Sequence, residues 1–421
     1  MADASPTADA PRTLPCRACG TPLTHVFVDL GMSPISNAMR LPSEAHLAEA
    51  FYPLRTFVCE SCKLVQIDDV QPAETHFHGS YTYFSSYSKS WLAHAERYAA
   101  MMTERFGLGA SSKVVEVASN DGYLLQYFNA KGIPVLGIDP AANCAEVAER
   151  ERGIPTLVRF FGVATASEVA AKGKADVIAG NNVLAHVPDI NDFVAGLKLL
   201  LKDGGVITIE FPHLLRLIEA RYFDTIYHEH YSYLSLLAVE RLFARHGLTV
   251  FDVEELPTHG GSLRIFAGHA GSTATASDRL LAFRAREAEA GLDELAVYGS
   301  FAAEVRHAKR ALLECLISLK DQGASIVAYG AAAKGNTLLN YCGIRGDFLD
   351  YAVDASPHKQ GLLLPGTALP VHAPEKIFET KPDYVLILPW NLKDEIITQA
   401  AGIRAWGGKF IVPLPKPLII P

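Results

Sequence analysis

The chain has 421 residues, a formal net charge of −8 and 49% hydrophobic residues. This length predicts roughly two to four domains with enough apolar residues for separate cores. The acidic balance argues against a nucleic-acid partner, because phosphate binding needs concentrated Lys and Arg, and the sequence has no basic run.

The first residues, 1–13, are small, polar and Pro-containing, which predicts a disordered tail. They lack the basic start and apolar core of a signal peptide. No uninterrupted apolar run in the sequence is long enough to span a bilayer. We therefore expect a cytoplasmic protein without a membrane partner.

Three blocks follow the tail, at 14–75, 76–275 and 276–421. In the central block KVVEVAS, VLGID, DVIAGNN and GVITIEF alternate with helical patterns, which predicts a parallel, doubly wound sheet. LTVFDVEEL and SLRIFAGH are predicted to close this sheet as antiparallel strands. The last block begins with a helical linker and then alternates again, which predicts a second, smaller α/β unit.

The first block carries two Cys-x-x-Cys pairs, Cys16 with Cys19 and Cys59 with Cys62. In a reducing cytosol this pattern favours metal ligation over disulfides. Two such turns close a tetrahedral shell of four thiolates, the preferred geometry of structural zinc. A closed shell leaves no open position for a substrate, so the metal is expected to organise the fold. The alternative is two unrelated turns with free thiols.

The segment VVEVASNDGYLLQYF predicts a strand, a turn and a helix. Glu116 lies in the strand, and the turn contains Asn120, Asp121 and Gly122. Gly122 allows the tight turn, and the amides at the helix N-terminus can meet a ligand carboxylate. The segment therefore predicts a ligand site at the end of this strand.

The next strands place further polar residues at the same edge. Asp139 ends VLGIDP, where an adenosine ribose is bound in such sheets, and Asn181 and His186 follow the third strand. The glycine pattern is a poor GxGxxG, which disfavours a nicotinamide site. The alternative is an ordinary doubly wound domain without a ligand.

These segments resemble the class I S-adenosylmethionine methyltransferases. VEVASNDG stands where that family has its acidic-x-Gly-x-Gly loop, and GIDP and NNVLAHVPD stand for its ribose acid and third-strand segment. The resemblance implies S-adenosylmethionine as cofactor and adds Ser119 to the binding loop. Ala118 and Asn120 replace the two glycines of the general pattern.

A narrower family accounts for that replacement. The paired cysteines, SYTYFSSYS, VEVASNDGYLL, NNVLAHVPD, YHEHYSYLSL, HGGSLR and AYGAAAKGNTLLNYCGI closely resemble the nucleotide-sugar C-methyltransferases, over nearly the whole chain. These enzymes methylate a keto-deoxysugar on a nucleoside diphosphate in pathways for antibiotic and cell-surface sugars. The resemblance implies an N-terminal zinc-binding domain at 14–75, a methyltransferase domain at 76–275 and a C-terminal Rossmann-like domain within 276–421.

The segment TIYHEHYSY provides the residue types that carbon methylation needs. A carbon beside a ketone becomes a nucleophile when a base removes its proton and donors stabilise the enolate. We expect His230 to be the general base. Glu229 either supports the imidazole or binds a sugar hydroxyl or amine.

Tyr227, Tyr81 and His186 are expected to line the sugar, and the family's active-site residues match these positions. On an extended backbone His228 and His230 share one face, so a joint site for Glu229 and His230 requires a bent loop. Two alternatives stay open: a polar edge loop whose histidines satisfy backbone groups, and a metal site at His228 and His230.

In the last block, AYGAAAKGNTLL predicts a strand, a turn and a helix start. The amides near Gly335 and the side chain of Lys334 are suited to a diphosphate. Asp354 ends the next strand, where a nucleoside ribose is bound, and His259 in HGGSLR brings backbone close to the ligand. The alternatives are a packing unit without ligand and a plain β-turn.

We therefore expect an S-adenosylmethionine-dependent C-methyltransferase of a dTDP-linked 4-keto-deoxysugar, with C3 as the default carbon from the family. The expected partner is the nucleotide-sugar, and the protein is expected to be a monomer or homodimer. The alternatives are an O- or N-methyltransferase of a related sugar and a non-catalytic zinc-containing scaffold.

Overall fold

The computed structural model describes residues 14–68, 70, 84–272 and 275–421. The predicted tail lies outside these residues. Within the described ranges, no helix is both long and apolar enough to cross a membrane.

The described elements follow one another in four stretches of the chain. The N-terminal stretch contains β1 (His25–Ser33), β2 (Tyr52–Val58) and β3 (Val65–Ile67). The central stretch contains α1 (Lys89–Arg105), β4 (Val114–Val117), α2 (Leu125–Asn129), β5 (Val135–Ile138), α3 (Ala142–Arg152), β6 (Thr156–Leu157), α4 (Val163–Ala171), β7 (Ala175–Asn181), α5 (Ile190–Leu200) and β8 (Leu201–Pro212). Next come α6 (Leu214–Ala220), β9 (Ser232–Tyr233), α7 (Leu236–Arg245), β10 (Leu248–Leu256) and β11 (Ser262–His269). The last stretch contains α8 (Asp278–Glu289), α9 (Leu295–Asp321), β12 (Ile326–Tyr329), α10 (Ala333–Cys342), β13 (Ala352–Val353), β14 (Val371–His372), α11 (Lys376–Thr380), β15 (Tyr384–Ile387), α12 (Lys393–Gln399), β16 (Lys409–Val412) and β17 (Leu418–Ile420).

The central sheet has seven strands in the order β10-β11-β8-β7-β4-β5-β6. Strands β4 to β8 pair in parallel, and β10 and β11 pair antiparallel at one edge. All four residues of β4 are buried, as expected for a strand covered on both faces. The predicted doubly wound sheet with two antiparallel closing strands is confirmed. The strand order of the central sheet reverses direction between β4 and β7. Open α/β sheets bind ligands at such a point.

The C-terminal sheet has six strands in the order β14-β13-β12-β15-β16-β17. Only β17 pairs antiparallel within this sheet, so the predicted second α/β unit is present. The sequence patterns miss β14 and β17, because two or three residues are too few to show a period.

The N-terminal sheet has the order β1-β2-β3-β9. Strand β9 belongs by sequence to the central block, but it pairs antiparallel with β3 through Val65 with Tyr233 and Gln66 with Ser232. The backbone amide of Ile67 also donates to the carbonyl of Tyr231 at 3.1 Å. The end of TIYHEHYSY is therefore fastened to the N-terminal sheet.

The N-terminal and C-terminal sheets share one hydrophobic core. Phe27 of β1 stacks on Phe301 of α9 with ring centroids 4.5 Å apart, and Tyr298 meets Phe27 edge-on at 6.1 Å. Phe223 and Ile226, just before the His-rich segment, are buried in the same core. That segment therefore lies where all three sheets meet.

A buried carboxylate at the end of α8 joins this helix to α6 and α7. Glu287 accepts hydrogen bonds from Nε2 of His213 at 2.6 Å and from the backbone amides of Leu236 and Leu237 at 2.7 and 2.8 Å. The two amides begin α7, so the carboxylate also meets the positive end of that helix.

We expect Glu287→Ala to lower the free energy of unfolding by about 3 kcal/mol, because it leaves a buried imidazole and two helix amides unpaired. Urea unfolding followed by circular dichroism measures the change. Glu289→Ala, at an exposed position of the same helix, is the matched control. Equal midpoints for the two variants would contradict the assignment.

Candidate functional site

The two cysteine pairs form two turns of the same construction. The amide of Gly20 donates to the carbonyl of Cys16 at 2.8 Å, and the amide of Lys63 donates to the carbonyl of Cys59 at 3.0 Å. Gly20 and Lys63 both have positive φ, 77° and 63°. In each turn, therefore, the fourth residue after the first cysteine reverses the chain and brings the two thiols together.

The four sulfur atoms lie within 4.8 Å of one another. The Sγ atoms of Cys16 and Cys62 are 3.5 Å apart, as are those of Cys19 and Cys59. A tetrahedral zinc with Zn–S bonds of about 2.3 Å separates its sulfurs by about 3.8 Å, so the cluster fits zinc and is too open for disulfides. Nε2 of Gln66 donates to Sγ of Cys16 at 3.1 Å and supports that thiolate. The predicted zinc site is confirmed.

The loop after β4 has an unusual backbone. Ala118, Asn120 and Gly122 all have positive φ, 59°, 48° and 76°. Oδ2 of Asp139 accepts from the amide of Asn120 at 2.8 Å, and Oδ1 accepts from the amide of Ala141 at 2.8 Å. Burial raises the pKa of Asp139 to about 6. The acid predicted to bind ribose thus also holds the loop in shape.

Several buried oxygens around this loop have no hydrogen-bond partner among the described residues. They are both carboxylate oxygens of Glu116, Oγ of Ser119, Oδ1 of Asp121 and Oδ1 of Asn181. Burial raises the pKa of Glu116 well above its ordinary value. Leaving such groups unpaired is costly, so the residues present fit a polar ligand with several donors, as S-adenosylmethionine has.

The His-rich segment turns sharply, with the amide of His230 donating to the carbonyl of Tyr227 at 2.9 Å. Nδ1 of His230 donates to the carbonyl of Thr225 at 2.9 Å. Nε2 then accepts from the hydroxyl of Tyr227 at 2.7 Å. Burial, with the nearby His186, holds the pKa of His230 well below its ordinary value. The imidazole is therefore a neutral base in a fixed tautomer.

His186 lies against this imidazole, with ring centroids 4.6 Å apart. Its Nδ1 donates to the backbone carbonyl of Glu229 at 2.8 Å. The structure thus brings together His186, Tyr227 and His230 as predicted. Tyr81, also predicted here, lies outside the described residues.

The predicted support of His230 by Glu229 differs from the observed contacts. Thr225 orients the imidazole, and both carboxylate oxygens of Glu229 accept from Nδ2 of Asn37, at 2.9 and 2.8 Å. The bent backbone that a joint site requires is present, but the carboxylate of Glu229 hydrogen-bonds Asn37 instead of the imidazole. Burial raises the pKa of Glu229 to about 7.

His228 faces away from this cluster. Its Nε2 donates to the carbonyl of Pro53 at 3.2 Å, and its ring meets Tyr52 edge-on at 6.1 Å. Over the described ranges, the four cysteines are the only group of three or more Cys, His, Asp or Glu residues close enough to hold a metal. Among the residues that the structure describes, His228 thus packs against the N-terminal sheet and belongs to no metal-binding group.

Lys334 comes from the C-terminal unit. Its Nζ donates to Oδ1 of Asn391 at 2.9 Å and lies 4.7 Å from the ring centroid of Trp390. Burial lowers the pKa of Lys334. Nε1 of Trp390 donates to Asp224 at 2.7 Å, and burial raises the pKa of Asp224 to about 6. No sequence pattern indicated the contact between Asp224 and Trp390, because the two residues are far apart in the chain.

Asp354 accepts the same kinds of backbone hydrogen bond as Asp139 does in the central unit. Oδ2 accepts from the amide of Ala331 at 2.7 Å, and Oδ1 accepts from the amide of Ser356 at 2.8 Å. Gly335 packs so closely that a Cβ there would lie 2.7 Å from Leu388. Gly335 is therefore required by packing, whatever it does for a ligand.

His259 lies in a left-handed conformation with a φ of 55°, and its ring meets Trp91 edge-on at 5.4 Å. Burial and the charge of Lys334 lower the pKa of His259 to about 4. The backbone of His259 is therefore strained. That His259 brings backbone close to a ligand stays a prediction.

We expect Cys16→Ser to lose most of the bound zinc and to lower the thermal unfolding midpoint, because three thiolates bind the ion less tightly. Metal content and calorimetry measure both effects. Cys315→Ser on α9 is the control, since Cys315 lies outside the cluster. Unchanged zinc content in Cys16→Ser would contradict the assignment.

Family models match three consecutive parts of the chain. Residues 16–77 match a model described as "Putative zinc binding domain", and residues 91–253 match "Methyltransferase domain". Residues 257–415 match "C-methyltransferase C-terminal domain".

Individual relatives agree with these models. The chain is 34% identical to the C-methyltransferase NovU of Streptomyces niveus over 96% of both chains. A ubiquinone biosynthesis O-methyltransferase of Bartonella quintana is 26% identical over 33% of this chain and 61% of that protein.

Solved structures match the central part. Magnesium protoporphyrin IX methyltransferase of Synechocystis PCC 6803 is 13% identical over 42% of this chain and 79% of that chain, with a TM-score of 0.34. An S-adenosylmethionine-dependent methyltransferase of Clostridium acetobutylicum is 12% identical over 43% of this chain and 92% of that chain, with a TM-score of 0.35. Because the match to NovU spans nearly all of both chains, this chain belongs to the C-methyltransferase family and is an S-adenosylmethionine-dependent methyltransferase.

Proposed function

We propose that this enzyme methylates the carbon next to the ketone of a keto-deoxysugar carried on a nucleoside diphosphate. A dTDP-linked 4-keto-deoxysugar with C3 as the acceptor is the specific assignment. The observation that carries the proposal is the neutral His230, fixed by Thr225 and paired with the hydroxyl of Tyr227. Oxygen or nitrogen acceptors have lone pairs, whereas a carbon acceptor requires such a base.

His230 is suited to remove a proton from carbon. Donation from Nδ1 to the carbonyl of Thr225 leaves the lone pair of Nε2 as the basic site. The lowered pKa of His230 keeps the ring neutral at pH 7, so the base does not first have to lose a proton.

In the proposed step, Nε2 of His230 takes the proton, and the electron pair of the C–H bond forms the enolate. For this transfer the hydroxyl of Tyr227 first turns from Nε2, whose one lone pair it occupies, to the ketone oxygen of the substrate, where it stabilises the enolate oxygen as it forms. A positioned donor at the developing charge lowers the barrier. We assign His186, whose ring lies against that of His230, to the lining of the sugar.

S-adenosylmethionine supplies the electrophilic methyl group when it is bound at the loop after β4. We assign the buried acceptors of Glu116, Ser119 and Asn181 to its ammonium and hydroxyl groups, since these oxygens lack partners in the described part of the chain. Asp139 and Asp121 are assigned to the same site, with Asn120 and Gly122 shaping the backbone.

We assign the nucleotide part of the substrate to Lys334, Gly335, Asp354 and His259. The support is electrostatic: the charge of Lys334 contributes to the lowered pKa of both His230 and His259. Basic groups that lower one another's pKa are close together, and their charged forms are stabilised by an anionic ligand. A diphosphate has the required charge.

The decisive test is proton exchange in heavy water, with S-adenosylhomocysteine and a dTDP-4-keto-6-deoxysugar followed by NMR. We expect the wild-type enzyme to exchange a proton beside the ketone. His230→Asn should lower both exchange and methyl transfer by roughly 10²–10⁴-fold, because the base is lost.

His228→Asn is the matched control, since His228 faces Pro53 and should keep the exchange. Near-normal exchange in His230→Asn would remove His230 from the mechanism. If the wild-type enzyme binds the sugar without exchange, methyl transfer to oxygen or nitrogen becomes the better assignment.

A second prediction concerns cofactor binding. We expect Glu116→Gln to weaken S-adenosylhomocysteine binding by about tenfold or more, the effect of losing about 1.4 kcal/mol. The unliganded variant should be at least as stable as the wild-type, because a buried carboxylate without a partner is costly. Titration calorimetry and thermal unfolding measure the two effects. Unchanged affinity would contradict the assignment.

A further inference from the structure

The buried carboxylate of Glu229 receives its side-chain hydrogen bonds from a distant part of the chain. Nδ2 of Asn37 donates to Oε1 at 2.9 Å and to Oε2 at 2.8 Å, across 192 positions of sequence. Glu229 is only 6% exposed, whereas Asn37 is exposed in the segment between β1 and β2. Asn37 therefore covers the carboxylate from the solvent side.

The segment that carries Asn37 is fastened to the C-terminal unit. Arg40 and Leu363 exchange two backbone hydrogen bonds, at 3.1 and 2.8 Å. Glu49 accepts from the backbone amide of Gly366 at 2.9 Å and from Nη1 of Arg40 at 3.1 Å. The contact between Asn37 and Glu229 thus depends on a segment that is held to the C-terminal unit at Arg40 and Glu49, both of which follow Asn37 in the chain.

Of the ionisable groups near Glu229, Lys359 is the one whose charge acts on the carboxylate. Lys359 belongs to the loop after β13 and donates to the carbonyl of Ala331 at 2.8 Å. His186 donates to the backbone carbonyl of Glu229, and His230 is the next residue in the chain. Burial raises the pKa of Glu229 to about 7, and the hydrogen bond from Asn37 and the charge of Lys359 oppose this rise.

We infer that Asn37 is a positioning residue of the active site, which orients the carboxylate of Glu229 and favours its charged form. One amide nitrogen bonds both oxygens and leaves their other lone pairs for the substrate. Those lone pairs suit a hydroxyl or ammonium group of the sugar near the reacting carbon. The N-terminal domain is thus part of the reaction site, in addition to its zinc. This inference rests on the proposed function of the His-rich segment.

The first measurement is an NMR titration of protein labelled with ¹³C at the glutamate carboxyl, in which Glu229→Gln identifies the signal. We expect Asn37→Ala to raise the titration midpoint of Glu229 by about one unit, because a hydrogen bond to the charged form is lost. Asn37→Asp should raise the midpoint further, since it places a second carboxylate beside the first. Because Asn37 is exposed, neither variant should unfold.

The second measurement is the pH dependence of kcat/KM for methyl transfer. If the reaction requires charged Glu229, kcat/KM falls as the pH drops through the pKa of Glu229. The acidic side of the pH profile should therefore move to higher pH in the Asn37 variants, by the same amount as the NMR midpoint. Glu44→Gln, an exposed change in the same segment, is the control and should move neither.

An unchanged midpoint in Asn37→Ala would overturn the inference, as would a shifted midpoint with an unmoved acidic side of the pH profile. The titration needs no substrate, so it separates this inference from the proposed function. A wild-type enzyme that fails to methylate any keto-sugar overturns the substrate assignment, while the titration still decides whether Asn37 controls Glu229.

Discussion

The pairing of β9 with β3 is the constraint on which the site depends. Two strand residues and the carbonyl of Tyr231 satisfy backbone groups of the N-terminal sheet, while Phe223 and Ile226 are buried in the core shared with the C-terminal unit. The residues between these anchors have little freedom, and they form the turn that separates His228 from His230. Backbone pairing thus decides which histidine faces the N-terminal sheet and which faces the reaction site.

Each of the two α/β units has an aspartate that fixes a loop by the same two kinds of hydrogen bond. Asp139 and Asp354 each follow the second strand of their unit, and each accepts from an amide of the preceding loop and from the amide two residues later. Such bonds fix the loop at the carboxyl edge of a parallel sheet, where ligands bind. We assign this edge of the central unit to the methyl donor and the corresponding edge of the other unit to the nucleotide.

Burial is the largest influence on the ionisable groups between these edges, and their hydrogen bonds and neighbouring charges offset it only in part. Burial raises the pKa of Glu116, Asp224 and Glu229, and it lowers the pKa of His230 and Lys334. All these shifts favour the neutral forms, so the site carries less charge than its composition suggests. A charged ligand reverses part of this effect, because each opposite charge favours ionisation of its neighbour.

The sequence by itself determined the zinc site and the doubly wound sheets, because cysteine spacing and strand alternation are local properties, and it named His186, Tyr227 and His230 as candidate site residues. It did not determine the partners of those residues. Thr225 acts through its backbone carbonyl, which no side-chain pattern reports, and Asn37 meets Glu229 only after distant segments pack together. Adjacency in sequence suggested that Glu229 supports His230, but the carboxylate of Glu229 meets Asn37 instead. Only tertiary structure decides contacts of that kind.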